Sequence, residues 1–150
     1  MERPVITVDE IMTTDLATLP ENATLQDAIQ LMAEKHIRHI PIVNNARELI
    51  GLITHRDVLA STDSTLRPQD ERQSPDSVLV KKIMTRKVAT VAEGTSLRSA
   101  AIQIERHKYG CLPVVTDGKL RGIITDSDFV AVAINLLQQL DDLEPPEMDF

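Results

Sequence analysis

The stretch Gly51-Leu52-Ile53-Thr54-His55-Arg56-Asp57, with its echo Gly122-Ile123-Ile124-Thr125-Asp126-Ser127-Asp128, decides how this chain is read. In each copy a short apolar run ends at a threonine and gives way to a helical pattern. A hydroxyl and a carboxylate three residues apart then fall on the helix's first turn. Backbone N–H groups are unpaired there and the helix dipole is positive, so acceptors and anions are favoured. Two uses of such a corner are open. T-x-x-D is a capping-box pattern, in which Thr caps the helix and Asp reaches back. The same corner can hold a pair of sugar hydroxyls and a phosphate.

Outward from these corners, the whole preceding pattern is also duplicated. Thr7-Val8-Asp9-Glu10 is a capping box that opens a short helix toward Met12, and Thr13 and Thr14 stop it. Leu16 to Leu19 reads as extended before Pro20. Thr24 caps a helix with the apolar stripe Leu25, Ala28, Ile29, Met32 and Ala33. His39–Val43 is a β-rich run containing Pro41, which suggests an edge or a strand's beginning. Asn44-Asn45 turns the chain into a second strand, Leu49 to Ile53. Val8–Thr13 matches Val80–Thr85, and Pro41 matches Pro113, at an offset of 72; Gly51 matches Gly122, and Asp57 matches Asp128, at 71. The lost residue falls between the strands, where Asp117-Gly118 makes a tighter turn, and surface loops are where length changes belong. In the second copy Thr95 or Ser96 caps a helix with Leu97, Ala100, Ala101 and Ile104. Two copies imply a pseudo-twofold pair, not a solenoid.

The expected organisation is a first repeat over 8–60, a linker over 61–79, a second repeat with an extended helix over 80–140, and an acidic tail over 141–150. The linker is polar; Arg67 and Arg72 within it are candidates to reach a bound anion. The last helix carries Phe129, Val132, Ala133, Leu136, Leu137 and Leu140, a stripe that either packs back on the first repeat or forms a subunit interface.

Composition narrows the function. Only Tyr109, Phe129 and Phe150 are aromatic, which leaves no platform for stacking a run of bases, and a net charge of −7 opposes a nucleic acid backbone. A nucleic acid partner is therefore not expected. Cys111 is the single cysteine and lies in an apolar run, which predicts a core thiol and a reducing compartment. No apolar run is long enough for a membrane span and no signal-peptide pattern opens the chain, so a cytoplasmic location is expected. His36 and His39 lack a third ligand nearby, and no glycine-rich phosphate loop or activated nucleophile is present. Neither a metal site nor catalysis is expected.

Two copies of helix–strand–helix–strand–strand–helix, each with a proline in the first apolar strand and each closing on G-[LI]-I-T-x-x-D, resemble a tandem pair of CBS domains. The resemblance covers Val8 to about Val130. Within the family, His36–Val43 and Tyr109–Val115 look closest to the acetoin-utilisation AcuB type. It implies an α/β (α+β) fold, a pseudo-twofold pair of small three-stranded sheets with helices, packed sheet to sheet, with a cleft on each side of the axis. Members of the family bind AMP, ADP, ATP, S-adenosylmethionine or a cyclic dinucleotide there. Carried over, Thr54 and Asp57 hold the ribose of one site and Thr125 and Asp128 that of the other. The base lies near Ile37, Arg38, His39 and Ile40, or near Tyr109, Cys111 and Leu112, and Thr18 and Thr90 match an extended threonine that lines the cleft. The resemblance also implies a homodimer and an unidentified target protein.

The two corners differ in charge. His55 and Arg56 follow Thr54, with Arg38 and His39 nearby, whereas Asp126 and Ser127 follow Thr125. The Asp57 corner is therefore expected to favour phosphates over the Asp128 corner. The remaining alternative is a ligand-free association module whose T-x-x-D corners are only caps.

Overall fold

A computed structural model of the chain describes residues 5–62 and 74–143; Arg67, Arg72 and residues 144–150 lie outside them. The first repeat consists of a 3-10 turn (Val8–Glu10), α1 (Leu25–Lys35), β1 (His39–Val43), β2 (Leu49–Thr54) and α2 (His55–Thr62). The second consists of a 3-10 turn (Val80–Lys82), α3 (Leu97–His107), β3 (Cys111–Thr116), β4 (Lys119–Thr125) and α4 (Asp126–Leu143).

Local chemistry sets these boundaries. Thr24 Oγ1 accepts from Asp27 N at 3.1 Å and Asp27 answers to Thr24 N at 2.9 Å, a complete capping box for α1. Ser96, not Thr95, caps α3, accepting from Ser99 N at 3.1 Å. Both helices end on a left-handed residue, His36 (φ 54°) and Lys108 (φ 59°), which turns the chain into the following strand. Asp117 (φ 54°) and Gly118 (φ 78°) form a turn with both central residues left-handed, the twist that suits a two-residue hairpin. In the longer first hairpin, Asn44 Oδ1 takes the N–H groups of Ala46 and Glu48, both at 2.9 Å.

Each sheet is a two-stranded antiparallel ladder, β1–β2 and β3–β4, instead of the three strands expected. The third element survives as one parallel bridge, Leu19 to Ile42 and Val91 to Val114. That bridge makes β1 and β3 interior, so Pro41 and Pro113 sit fully buried in mid-sheet, contrary to the edge position expected for them. Proline is tolerated because Leu19 pairs through the carbonyl of Pro41 (3.2 Å) and the N–H of Val43 (3.0 Å), and asks nothing of the missing donor.

The repeats are not packed as they are ordered in sequence. Val8, from the first repeat, is fully buried in the second core with Val91, Leu97, Ala100, Leu112, Val114 and Ile124. Val80 and Met84, from the second, sit in the first core with Leu25, Ala28, Ile40, Ile42 and Ile53. The chain crosses over twice, with reciprocal backbone bonds each time: Thr13 to Ile123 (2.9 and 3.0 Å) and Leu52 to Thr85 (2.9 Å both ways). Where it crosses, Met12 lies over Gly122 and Met84 over Gly51. A third cluster of Leu52, Cys111 and Ile123 joins the two sheets. Part of the expected linker is also fixed, since the carbonyls of Pro75 (3.0 Å) and Val78 (2.7 Å) take the first N–H groups of α1.

α4 is more than twice as long as α2, 18 residues against 8, and runs to Leu143. Phe129 and Val132 pack against the second core, while Val130, Ile134, Leu137 and Leu140 are each about 60% exposed. Among the described residues, the stripe does not fold back on the first repeat.

The crossovers make an unequal prediction for the two glycines. A Cβ on Gly122 meets the Thr13 carbonyl at 2.9 Å as well as the Met12 thioether, whereas one on Gly51 meets only the flexible Met84 side chain. Gly122→Ala is expected to cost about 1–3 kcal/mol by urea unfolding and Gly51→Ala distinctly less; equal costs contradict this geometry.

Candidate functional site

The strand-to-helix corners form as capping boxes in both copies. Thr54 N donates to Asp57 Oδ2 at 2.9 Å and Asp57 N to Thr54 Oγ1 at 3.2 Å. Thr125 N donates to Asp128 Oδ2 at 2.8 Å, and Asp128 N to Thr125 Oγ1 at 3.4 Å. Each corner is then tied to the chain before its sheet, His55 N to the Arg38 carbonyl (2.8 Å) and Asp126 N to the Gly110 carbonyl (3.1 Å). The box uses one carboxylate oxygen. The other Asp oxygen has no protein partner among the described residues, and all four side chains are half-buried. Capping and ligand binding are thus compatible at one corner.

Both threonines open onto a hollow of about 1450 Å³ that spans the junction of the repeats. Leu16–Ala17 and Val88–Ala89 run along that junction and line it together with Leu52 and Ile123. Of the residues expected at the site, Ile37, Arg38, His39, Thr54, Arg56, Tyr109, Cys111 and Thr125 line this cleft. Asp57 and Asp128 stand behind their threonines and are not part of its wall; Thr18 and Thr90 are not in it either. Ile40 and Leu112 are fully buried in the two cores, so only their main chain borders the site. A second hollow of about 580 Å³ lies between α1 and α2 and shares His36, Ile37, Arg38, His55 and Leu59 with the first.

The sequence reading missed the junction residues, Asp15, Leu16, Ala17 and their counterparts Lys87, Val88 and Ala89. The duplication carried a signal for them: Leu16-Ala17-Thr18 and Val88-Ala89-Thr90 match at the same offset of 72.

Charge is unevenly spread. The α2 corner presents Arg38, His55 and Arg56 and the α4 corner Asp126 and Ser127; elsewhere the lining holds Asp15 and Lys35 from the first repeat and Lys87 and Lys108 from the second. Burial and the adjacent Arg38 charge lower the pKa of His39, while Asp126 acts in the opposite sense; the net direction is down. Burial, then Asp126, push the Cys111 thiol up to about 12. The one aromatic ring on the cleft, Tyr109, is stacked on His107 with centroids 5.2 Å apart. Among the described residues no group of three His, Cys, Asp or Glu is placed to hold a metal ion, and no helix is long and apolar enough to cross a membrane.

A duplicated α/β unit with a shared cleft defines a paired-repeat module, and comparison names it. The family model described as CBS domain matches residues 8–62 and 80–135. The chain belongs to the CBS-domain family and carries two copies. Among solved structures it is similar to a putative acetoin utilization protein (AcuB) from Vibrio cholerae, 40% identical, TM-score 0.79, covering 95% of this chain and all of that one. It is also similar to the CBS domain pair of protein MJ0100 in complex with 5′-methylthioadenosine and S-adenosyl-L-methionine (25% identical, TM-score 0.76, covering 89% and 99%). A third is CBSX2 of Arabidopsis thaliana in complex with AMP (29%, TM-score 0.75, covering 88% and 98%). Longer relatives contain the pair as a part. The chain spans 41% of an uncharacterised protein of Methanocaldococcus jannaschii, which is 38% identical over 123 residues and matches 82% of this chain. It spans 23% of homoserine O-acetyltransferase from Methanococcus vannielii, 34% identical over 119 residues that make up 79% of this chain.

A thiol near 12 is protonated at neutral pH and is no nucleophile. Folded protein at pH 8 is therefore expected to resist alkylation by iodoacetamide, with Cys111 reacting only after urea unfolding; fast labelling of the folded chain contradicts the burial.

Proposed function

We propose that this chain is a regulatory module that takes an adenosine-containing ligand, AMP, ADP, ATP or S-adenosylmethionine, in the shared cleft and passes the signal to a partner. The observation that carries the reading is the placement of Thr54 and Thr125, with their helix N-termini, on one cleft bordered by basic side chains. The ligands named for CBSX2 and for MJ0100 support the same ligand class. The ribose hydroxyls donate to the free oxygen of Asp57 or Asp128 once the local turn opens toward the cleft, a charge-assisted arrangement. Aliphatic side chains such as Leu16, Val88 and Ile37 enclose the base. Phosphates favour the first half, where Arg56 and Arg38 stand, over the half holding Asp126. Because both leading segments cross between cores, a ligand that shifts one repeat moves the other. The module is regulatory rather than catalytic.

The complete capping boxes favour a second reading, a ligand-free association module, because each T-x-x-D corner already has a structural role without ligand. A thermal-shift panel with AMP, ADP, ATP and S-adenosylmethionine separates the two. Saturation at about 100 times Kd corresponds to about 2.7 kcal/mol, or roughly 5–10 °C for a chain of this size. Asp57→Asn is the informative variant, because Thr54 still caps the helix and the Asn Oδ1 can still accept from Thr54 N, but the charge is gone. The expected result is a ligand-dependent rise that shrinks in Asp57→Asn and less so in Asp128→Asn. No rise with any ligand favours the association reading.

The exposed stripe of α4 supports a homodimer as the working assembly, with the target protein as a separate partner. Sedimentation is expected to give a dimer, and Leu137→Glu with Ile134→Glu a folded monomer. A monomeric parent chain rules the dimer out.

A further inference from the structure

His39 is one of the side chains at which the two halves of the cleft differ, and it stands at their junction. Its imidazole lies across the repeat boundary on the backbone of Gly110, close enough that a Cβ there falls 2.6 Å from Nε2. It stands directly opposite Thr54 in the β1–β2 ladder, so it adjoins the first ligand corner. At the equivalent position Cys111 stands opposite Thr125, and that thiol does not ionise near neutral pH. The charged and titratable groups around the ring come from four places. Arg38 precedes it on its own strand, Asp126 opens α4, and Cys111 lies on β3. His55 and Arg56 open α2 on the same cleft. Further along the cleft lie Asp15 and Lys87 at the junction and Lys35, Lys108 and Tyr109 at the helix ends, so Asp126 and Asp15 are the carboxylates on this wall.

We propose that His39 makes binding of a phosphorylated nucleoside in this cleft a proton-uptake reaction: the imidazole is neutral in the free protein and charges when a phosphate lies beside it. This rests on the reading of the cleft as a nucleotide site and adds how that site distinguishes ligands. A neutral imidazole avoids a further charge next to Arg38 in a half-buried position, in line with its lowered pKa. A phosphate reverses the balance, because its two negative charges together with Asp126 outweigh the two positive charges of Arg38 and Arg56. Linkage fixes the sign. A group protonated more in the complex than in the free protein strengthens binding as pH falls, by at most tenfold per pH unit for one proton. An adenosine ligand without phosphate gains nothing from the change. The half containing Cys111 has no equivalent group, so the effect belongs to the first half alone.

Two measurements on the full chain test this. Calorimetric titration with AMP at pH 7.5, above the second phosphate ionisation near 6, is run in buffers of low and high ionisation enthalpy. The expected result is net proton uptake with AMP, none with adenosine, and loss of the uptake in His39→Gln. NMR of the imidazole resonances of the parent chain needs no variant, and the expected result is one histidine whose titration midpoint rises by about one pH unit on adding AMP, a tenfold preference for the charged form. AMP binding with no proton uptake, or with equal uptake in His39→Gln, overturns this inference alone. Absence of binding by AMP and by adenosine overturns the nucleotide reading and the inference with it.

Discussion

The crossing of the two leading segments is the constraint on which the rest of this molecule depends. Val8 and Val80 each fill the other repeat's core, and burying one such side chain is worth about 1.5–3 kcal/mol. Neither repeat therefore has a complete core alone. The crossing point needs close approach, which Met12 over Gly122 and Met84 over Gly51 supply. Methionine suits the place because its unbranched thioether follows an irregular surface, and glycine because a Cβ would press on the methionine, and at Gly122 on the Thr13 carbonyl as well. The duplicated Ile-Met-Thr and the duplicated glycine, far apart in each copy, are two sides of one contact. The threonine that follows each methionine completes it, bonding both ways to the strand that carries the glycine.

That contact also makes the cleft. Once Thr13 pairs with Ile123 and Thr85 with Leu52, the extended pieces after them are drawn along the junction between the sheets. Their small and aliphatic side chains, Ala17, Ala89, Leu16 and Val88, line a hollow too shallow to be a core and too apolar to be ordinary surface. The helix N-termini of α2 and α4 reach the same hollow because each is pinned to the residue before its own sheet. A fold that ties two incomplete units together thus brings two polar corners and an apolar junction to one place.

The sequence revealed much of this and hid one thing. Helices α1 and α3, both hairpins and both T-x-x-D corners follow from local rules: a capping residue, a stripe of period 3.6, an Asn or Asp-Gly turn. Those rules work within a few residues, and the structure obeys them. The crossover is not local. Val8 looks like part of the first repeat because it lies beside it in the chain, and no periodicity says which core it enters. The same blindness put Pro41 at an edge, since the short parallel bridge from Leu19 that makes β1 interior is too brief to read as a strand. The exchange of leading segments brings both T-x-x-D corners to the same junction.

Comparing the two copies position by position separates frame from site. Met12 and Met84, Thr13 and Thr85, Pro41 and Pro113, Gly51 and Gly122, Thr54 and Thr125, and Asp57 and Asp128 are pairwise identical, and each holds a crossover, a strand or a helix start. At the strand-to-helix corners the pairs that differ are Arg38 and Gly110, His39 and Cys111, His55 and Asp126, and Arg56 and Ser127, and all eight line the cleft; along the junction Asp15 and Lys87 differ in the opposite sense. Packing demands the first set in both halves alike, because the pseudo-twofold gives both halves the same backbone. It makes no such demand on the second set, whose side chains face an open hollow where size and charge can change at little structural cost. At the corners the differences have a direction: each gives the first half more positive charge or hydrogen-bonding capacity for an anion. Under the proposed reading, a symmetric frame with polarised corners suits an asymmetric ligand, its anionic end toward Arg38 and Arg56 and its neutral end toward the aliphatic junction.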